Sequence, residues 1–274
     1  MKRLVHSLPA ILWGVVFLFA WELFVKFRNI KPFLLAAPNA IGKELWRDVK
    51  KGFDNGSSNW PYVVKNSFIV SAAKLTATNA AIGLLLGALA GVAVALLAQR
   101  FPSVGSLLRP LSSAFNTMPI VALGPIFYNL FGATSEGARR IVVGLVAFFP
   151  VFVNTLKGLT QVDPVHEELM RSYAASDTAF LRMVRLPNAL PFAMTGLRIA
   201  ASLSVIAAVV VEYFGGAQNG LGARVSSAMK QTQTGKGWAY ISAAIFLGLS
   251  FYGLGLLCER MVMPWVTRRR EADS

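Results

Sequence analysis

Residues 79–98 read NAAIGLLLGALAGVAVALLA, an uncharged run whose one polar side chain is Asn79. A helix of this length reaches across a hydrocarbon core about 30 Å thick. Gly83, Gly87, Gly91 and Ala95 recur every fourth residue and share one face. A stripe of small residues lets a second backbone come close, which is how helices associate where lipid removes the hydrophobic drive. The run therefore predicts a membrane-spanning helix made to pack against another. The whole chain agrees: 55% of its 274 residues are apolar, 15% are charged and the mean hydropathy is +0.54. Soluble domains carry roughly 25% charged residues. This composition argues against a disordered chain, a fibre, a disulfide scaffold and an ordinary soluble enzyme.

Five further apolar blocks of comparable length stand at Leu8–Phe27, Leu107–Phe131, Arg140–Leu159, Leu190–Phe214 and Trp238–Cys258. Together they predict an all-α, polytopic membrane protein of about six spans, organised as one domain over residues 1–274. The block after Met1-Lys2-Arg3 is longer than the apolar part of a usual signal peptide, and Ala36-Ala37-Pro38 is a poor cleavage site, so it reads as an uncleaved first span. Residues 28–65 form a mixed, charged loop in which Ile41, Leu45, Trp46 and Val49 recur at helical spacing, predicting a short interfacial helix. The second helix is expected to begin near Tyr62. The third block holds Pro110, Pro119 and Pro125, so its broken backbone should face protein or a wet cavity rather than lipid.

The net charge is +14, but the basic residues flank apolar blocks and are not interleaved with stacking aromatics. That pattern reads as membrane-flanking charge and gives no nucleic-acid surface. Lysines and arginines divide evenly between the two sides, with Lys74 unassigned, so charge alone leaves the orientation open. Cys258, the one cysteine, reads as a packing residue.

One polar segment is too charged to span: DPVHEELMRSYAASDTAFLRMVRLPNALP, residues 163–191. Asp163-Pro164 is a helix start, a cap followed by proline at the first helical position. Glu167 lies near the positive end of that helix, and Val165, Leu169 and Tyr173 form an apolar stripe. Ser176-Asp177 can cap a second short helix carrying Phe180, Met183 and Val184, which should end at Leu186-Pro187 because proline restricts the residue before it. The result is a charged, amphipathic bracket over 163–187. It suits docking into the groove of a soluble partner, or it is an ordinary loop.

This bracket resembles the cytoplasmic loop of inner-membrane permease subunits of bacterial ABC importers, whose pattern is E-A-A-x-x-x-G followed by I-x-L-P. Anchored on Leu186-Pro187, the pattern's glutamate falls on Glu168, its isoleucine on Val184 and its glycine on Ala174. Its alanines fall on Leu169 and Met170. Glycine would permit a left-handed turn, so Ala174 predicts a turn with φ below zero or a different bracket angle. Pro187-Asn188-Ala189-Leu190-Pro191, Thr195-Gly196-Leu197-Arg198-Ile199, Glu212, Gly220-Leu221-Gly222, the Phe33-Leu34 to Pro38 stretch and the proline-rich third block are similar to the nitrate, sulfonate, taurine and thiamine-precursor branch. The similarity covers roughly residues 30–260.

The resemblance implies a type I importer permease fold in the bacterial inner membrane, with both termini cytoplasmic. It implies a transport subunit that works by alternating access and is not itself an enzyme. Partners would be a cytoplasmic ATPase dimer, an extracytoplasmic binding protein, a second permease chain and the lipid bilayer. Glu167, Glu168, Tyr173, Ala174, Ser176, Val184, Leu186 and Pro187 would couple to the ATPase. The chain has no G-x-x-x-x-G-K-[ST] sequence, so ATP would be bound by the partner, with no cofactor here. No HExxH or nucleophile triad appears, and His166-Glu167-Glu168 reads as helix surface rather than a metal site.

Ionisable groups inside spans are candidates for the pathway. Glu22 either snorkels, pairs with Lys26 or serves ion coupling. Ser202, Val205, Val209 and Glu212 follow helical spacing, and Glu212 either lines the outer mouth or holds a gate by pairing with a basic residue. Ala200, Ser204, Ala207 and Val211 make a neighbouring face suited to helix contact. Asn116 and Thr117, before Pro119, either reach a cavity or hold a structural hydrogen bond. The alternative function is an ion-coupled secondary transporter that uses Glu22 or Glu212.

Overall fold

The computed structural model describes residues 2–31, 34–53, 67–101, 103–107, 110, 120–132, 135–215 and 219–264, and for residues 2–11, 52–53 and 120–121 their backbone alone. The described residues are helical throughout their regular structure. The elements are α1 (Lys2–Phe27), α2 (Pro38–Phe53), α3 (Phe68–Arg100), α4 (Ile120–Phe131), α5 (Glu136–Thr160), α6 (Pro164–Ser172), α7 (Asp177–Phe180), α8 (Leu186–Phe214), α9 (Leu221–Lys230) and α10 (Thr234–Val262). Leu181–Arg185 form a π-turn between α7 and α8. Four stretches among the described residues are long and apolar enough to cross a membrane: α3, α5, the run from Asp177 to Phe214, and α10. The described part of the third apolar block is Leu107, Pro110 and the 12-residue α4, with Pro125 inside α4. Tyr62, Pro119, Asn116 and Thr117 lie outside the described residues.

The core is built around α5, which lies between α3 and α8. On one side the glycine stripe of α3 meets it backbone to backbone. A methyl group at Gly83 would fall 2.5 Å from the Val143 side chain, one at Gly91 would fall 2.9 Å from the Phe148 carbonyl, and one at Gly87 would collide with the Gly144 carbonyl. On the other side Gly196 of α8 lies against the Pro150 carbonyl and Gly158 of α5 against the Ala189 backbone. Ala200, Ser204, Ala207 and Val211 are all buried, as the contact face of α8 requires. The side chains that point outward from α3 and α10, among them Leu85, Leu86, Leu89, Phe246 and Leu249, are large and exposed. That inside-out pattern of small residues inward and large apolar ones outward suits lipid on the outer surface.

Helices α3 and α5 run in the same direction, with Gly83, Gly87 and Gly91 meeting Val143, Gly144 and Phe148 in order, whereas α8 runs opposite to α5 and α10. Arg100 at the end of α3 is near Asp177, the end of α5 is bonded to Asn188, and Glu259 late in α10 pairs with Arg198. These contacts define a bracket end. The opposite end holds Thr76, Glu212 and the α8–α9 turn. At that far end α2 forms where the spacing predicts a helix; Ile41 is buried and Leu45 and Val49 are half-buried, whereas Trp46 is exposed. Its Asp48 carboxylate accepts from the Ser67 hydroxyl at 2.6 Å and the Ile69 amide at 3.0 Å, capping α3. Glu22 pairs with Lys26 at 2.9 Å and accepts from the Asn39 amide at 3.0 Å, so it ties α1 to the start of α2.

The second bracket helix does not end at Leu186-Pro187. The chain stays helical from Asp177 to Phe214, because the π-turn lets the Leu186 amide reach back to the Leu181 carbonyl. Pro187, in the first turn of the resumed α-helix, needs no donor and is accommodated there, whereas Pro191 lies inside the helix.

The α3–α5 contact gives a direct test. Gly87→Leu forces a side chain into the Gly144 carbonyl and should destabilise the detergent-extracted protein by about 3 kcal/mol or more, abolishing the monodisperse peak in gel filtration. Gly14→Ala, which meets nothing within 4 Å, should leave that peak unchanged.

Candidate functional site: the bracket and its two anchors

The bracket folds as its sequence chemistry dictates. Asp163 caps α6 by accepting from the Val165 amide at 2.9 Å, and Pro164 takes the first helical position. Ser176 caps α7 by accepting from the Ala179 amide at 3.3 Å. Glu167 pairs with Arg171 one turn on, at 2.8 Å. Glu168 is exposed and has no ion-pair partner among the described residues. The stripe predicted to be apolar faces outward: Val165 is 68% exposed, Leu169 48% and Tyr173 74%, and on the next segment Met183 is 71% exposed. Val184 is half-buried, whereas Ser176, Leu186 and Pro187 are exposed.

Ala174 corrects the sequence expectation. Its φ is +49°, the left-handed region, and not below zero. The Ala174 and Ala175 amides close the turn onto the Arg171 and Met170 carbonyls at 2.9 and 3.0 Å, which stops α6 in a glycine-type manner. Alanine adopts this conformation at a cost of about 1 kcal/mol. The capping bonds and the ordered bracket offset it.

The bracket is fixed to the bundle at its inner side. The Asn188 amide nitrogen donates to the Gly158 carbonyl at 2.8 Å and the Gln161 carbonyl at 2.9 Å, clamping the last turn of α5. Leu181 packs on a buried cluster that includes Ala95, Phe152, Leu159 and Ala189. The Arg185 guanidinium lies over the Phe180 ring at 4.6 Å. Asn188 was legible only as part of the proline-flanked stretch. Its clamp depends on Gly158, which lets α8 approach.

The second anchor is at the far end of α8. Glu212 is 1% exposed and so lines no open surface of this chain. Its carboxylate accepts from the Thr76 hydroxyl at 2.9 Å and the Gly222 amide at 3.1 Å, and Arg139 lies 3.7 Å away. Thr76 in turn accepts from the Leu221 amide at 2.9 Å, and Arg139 donates to the Asn219 carbonyl at 3.3 Å. The Gly220-Leu221-Gly222 motif follows from this. Gly220 has φ of +108° with the Glu212 carboxylate where a side chain would stand, and Gly222 lies against the Val209 carbonyl. Thr76 and Arg139 were not singled out by sequence. A threonine in an apolar run and paired arginines opening a span were the available signals.

Ser202, Val205 and Val209 lie on the stripe that also carries Glu212, but Glu212 is buried and does not line the groove they border. They line an apolar groove of about 830 Å³ between α8 and α10, bounded also by Tyr213, Ile241 and Tyr252. Lys74 is exposed near the start of α3.

Residues 83–264 match the family described as binding-protein-dependent transport system inner membrane component. The chain is 30% identical over 265 residues to the formylaminopyrimidine transport permease protein ThiX of Halalkalibacterium halodurans, covering 97% of this chain and 98% of that one. It is 31% identical to the putative aliphatic sulfonates transport permease protein SsuC of Bacillus subtilis, covering 68% and 67%. It is 28% identical to the nitrate import permease protein NrtB of Synechococcus elongatus, covering 91% and 92%. A crystal structure of an amino acid ABC transporter with histidines shares the fold at TM-score 0.56 and 18% identity, over 75% of this chain and 99% of that one.

Two substitutions test the anchors. Thr76→Val removes the hydroxyl shared by Glu212 and the Leu221 amide. It should lower stability by about 2–3 kcal/mol, read as a drop in thermal unfolding temperature in detergent, while Thr76→Ser stays near wild type. Ala174→Gly relieves the left-handed turn and should slow amide exchange of the Arg171–Ser176 segment, whereas Ala174→Val should accelerate it.

Proposed function

The chain belongs to the binding-protein-dependent transport system inner membrane components, the permease subunits of ABC importers, and on that premise we propose that its Pro164–Arg185 bracket is the face gripped by a cytoplasmic ATPase dimer. The observation that carries this reading is the outward-facing stripe of Val165, Leu169 and Tyr173 on a segment rigidly joined to α5 and α8. Exposed apolar side chains on a polar, non-spanning element fit the groove of a soluble partner. Leu186 and Pro187 hold the root of the lever, and the Ala174 turn sets the angle between α6 and α7.

The orientation follows from the partner. The bracket end is cytoplasmic, together with both termini, and the end with Glu212 and α2 faces the outside, where a binding protein delivers cargo. ATP is bound and hydrolysed by the ATPase, so this subunit needs no cofactor. A second permease chain completes the pathway. Asn116 and Thr117 remain candidates for that pathway, as does Ser202 on the groove between α8 and α10. Glu212 acts from within the bundle, holding the outer end of α8 to α3, α5 and α9. The ion-coupled alternative has no observation in its favour: the Glu22 and Glu212 carboxylates are each held by hydrogen bonds and a cation. The names of relatives mention a formylaminopyrimidine, aliphatic sulfonates and nitrate, and a small polar solute of that range is the cargo proposed here.

The test is a purified complex. A tagged chain extracted from native membranes should co-purify with a P-loop ATPase subunit. Tyr173→Ala should weaken that association by about 1–2 kcal/mol, roughly tenfold in Kd. Glu168→Lys should leave ATP hydrolysis running without uptake, or release the ATPase. Wild-type coupling in both variants would remove the bracket from the interface.

A further inference from the structure

Helix α2 has two unlike faces. Inward, Ile41 is buried and Leu45 packs on a cluster that includes Ile69, Ala239 and Tyr240. Outward, Lys43, Trp46, Arg47 and Lys50 follow one another at spacings of three, four and seven from Lys43, so they share one side. All four are exposed, Trp46 by 70%. Among the described residues, the carboxylates on or beside α2 are engaged. Asp48 caps α3, Glu22 is held by Lys26 and the Asn39 amide, and Glu44 pairs with Arg47 at 2.6 Å. Lys43 reaches Glu22 only through space, and neither Lys43 nor Lys50 has an ion-pair partner among the described residues. The outward face is therefore a tryptophan set among uncompensated cations.

The depth of α2 decides what meets this face. The helix flanks the first two turns of α10, where Glu44, Arg47 and Asp48 border a small pocket with Lys236, Ala239 and Tyr240. At the same level Trp21 of α1 meets Trp238 of α10 edge to face, with ring centroids 5.6 Å apart. Tryptophan and tyrosine gathered at one height mark the boundary between hydrocarbon and water. A soluble protein resting on the bundle would meet the ends of the spans, whereas the outward side of a helix lying along their flanks meets lipid headgroups. An indole offers its apolar body to the acyl edge, and lysines beside it reach phosphates.

We infer that the Lys43–Trp46–Lys50 face of α2 binds anionic phospholipid headgroups, with the two ammonium groups on the phosphate and the Trp46 ring beneath them. Assigning those headgroups to the outer leaflet rests on the orientation proposed above; the site itself does not. Because Asp48 caps α3 and the Asn39 amide bonds Glu22, lipid held on this face fixes the junction of α1, α2 and α3 at the bilayer surface.

The test is quenching by brominated lipid. The full chain is reconstituted in phosphatidylcholine vesicles holding about one-quarter phosphatidylglycerol, with bromine on the acyl chains of one lipid or the other. The Trp46 signal is the wild-type emission less that of Trp46→Phe. Phosphatidylglycerol is present in both leaflets, so the reading is independent of orientation. The association constant at Trp46 should favour phosphatidylglycerol about tenfold. Lys43→Gln with Lys50→Gln should bring it to parity, Lys43→Arg with Lys50→Arg should retain it, and added salt should shrink it. Equal quenching by the two lipids in wild type, or a preference that survives the glutamine pair, overturns the inference. A Trp46 signal untouched by either lipid puts the face in water or against protein, the surface a soluble binding protein would use, and overturns it as well. Gel filtration identifies a glutamine pair that has lost its fold. Salt dependence in the arginine pair then decides: a preference that salt weakens supports the site, and one that salt leaves unchanged overturns it. ATPase co-purification is a separate measurement, so failure here leaves the permease reading standing.

Discussion

Helix α5 is held between two backbones. Gly83, Gly87 and Gly91 bring α3 against it from one side, and Gly158 and Gly196 bring α8 against it from the other. In lipid, association has no hydrophobic drive, so close packing and shared hydrogen bonds must supply the attraction. Both anchors depend on this spacing. Asn188 reaches the Gly158 and Gln161 carbonyls because α8 lies so near. Arg139, at the opposite end of the same helix, reaches the Glu212 carboxylate and the Asn219 carbonyl.

The Glu212 cluster shows how a buried carboxylate is tolerated within an apolar bundle. It receives a hydroxyl, a backbone amide and a nearby guanidinium, so most of its acceptor capacity is met. Removing one partner of such a group is costly because the remainder stays buried. The α8–α9 turn depends on it in return, for Gly220 and Gly222 have no space for a side chain beside that carboxylate.

Much of the fold was legible in the sequence. The glycine stripe, the small face of α8, the amphipathic α2 and the caps at Asp163 and Ser176 all follow local rules that packing then reinforces. The failures have physical reasons. Pro187 reads locally as a helix stop, but a π-turn absorbs it, and a turn of that kind has no sequence signature. Alanine prefers a negative φ, but at Ala174 the caps on either side impose the left-handed turn. Ser202 and Glu212 follow one helical spacing, yet Ser202 borders an open groove and Glu212 is buried against α3, α5 and α9, because the surroundings of α8 differ along its length. Thr76 and Arg139 were missed because their role depends on partners more than sixty residues away in the chain.

The unbroken run from Asp177 to Phe214 has a mechanical meaning. A rod without a hinge does not fold when its end is displaced; it tilts or turns as one body. The π-turn lies just above Asp177, where the backbone hydrogen-bond ring is widest. The bracket and the Glu212 anchor are thereby the two ends of one continuous helical run.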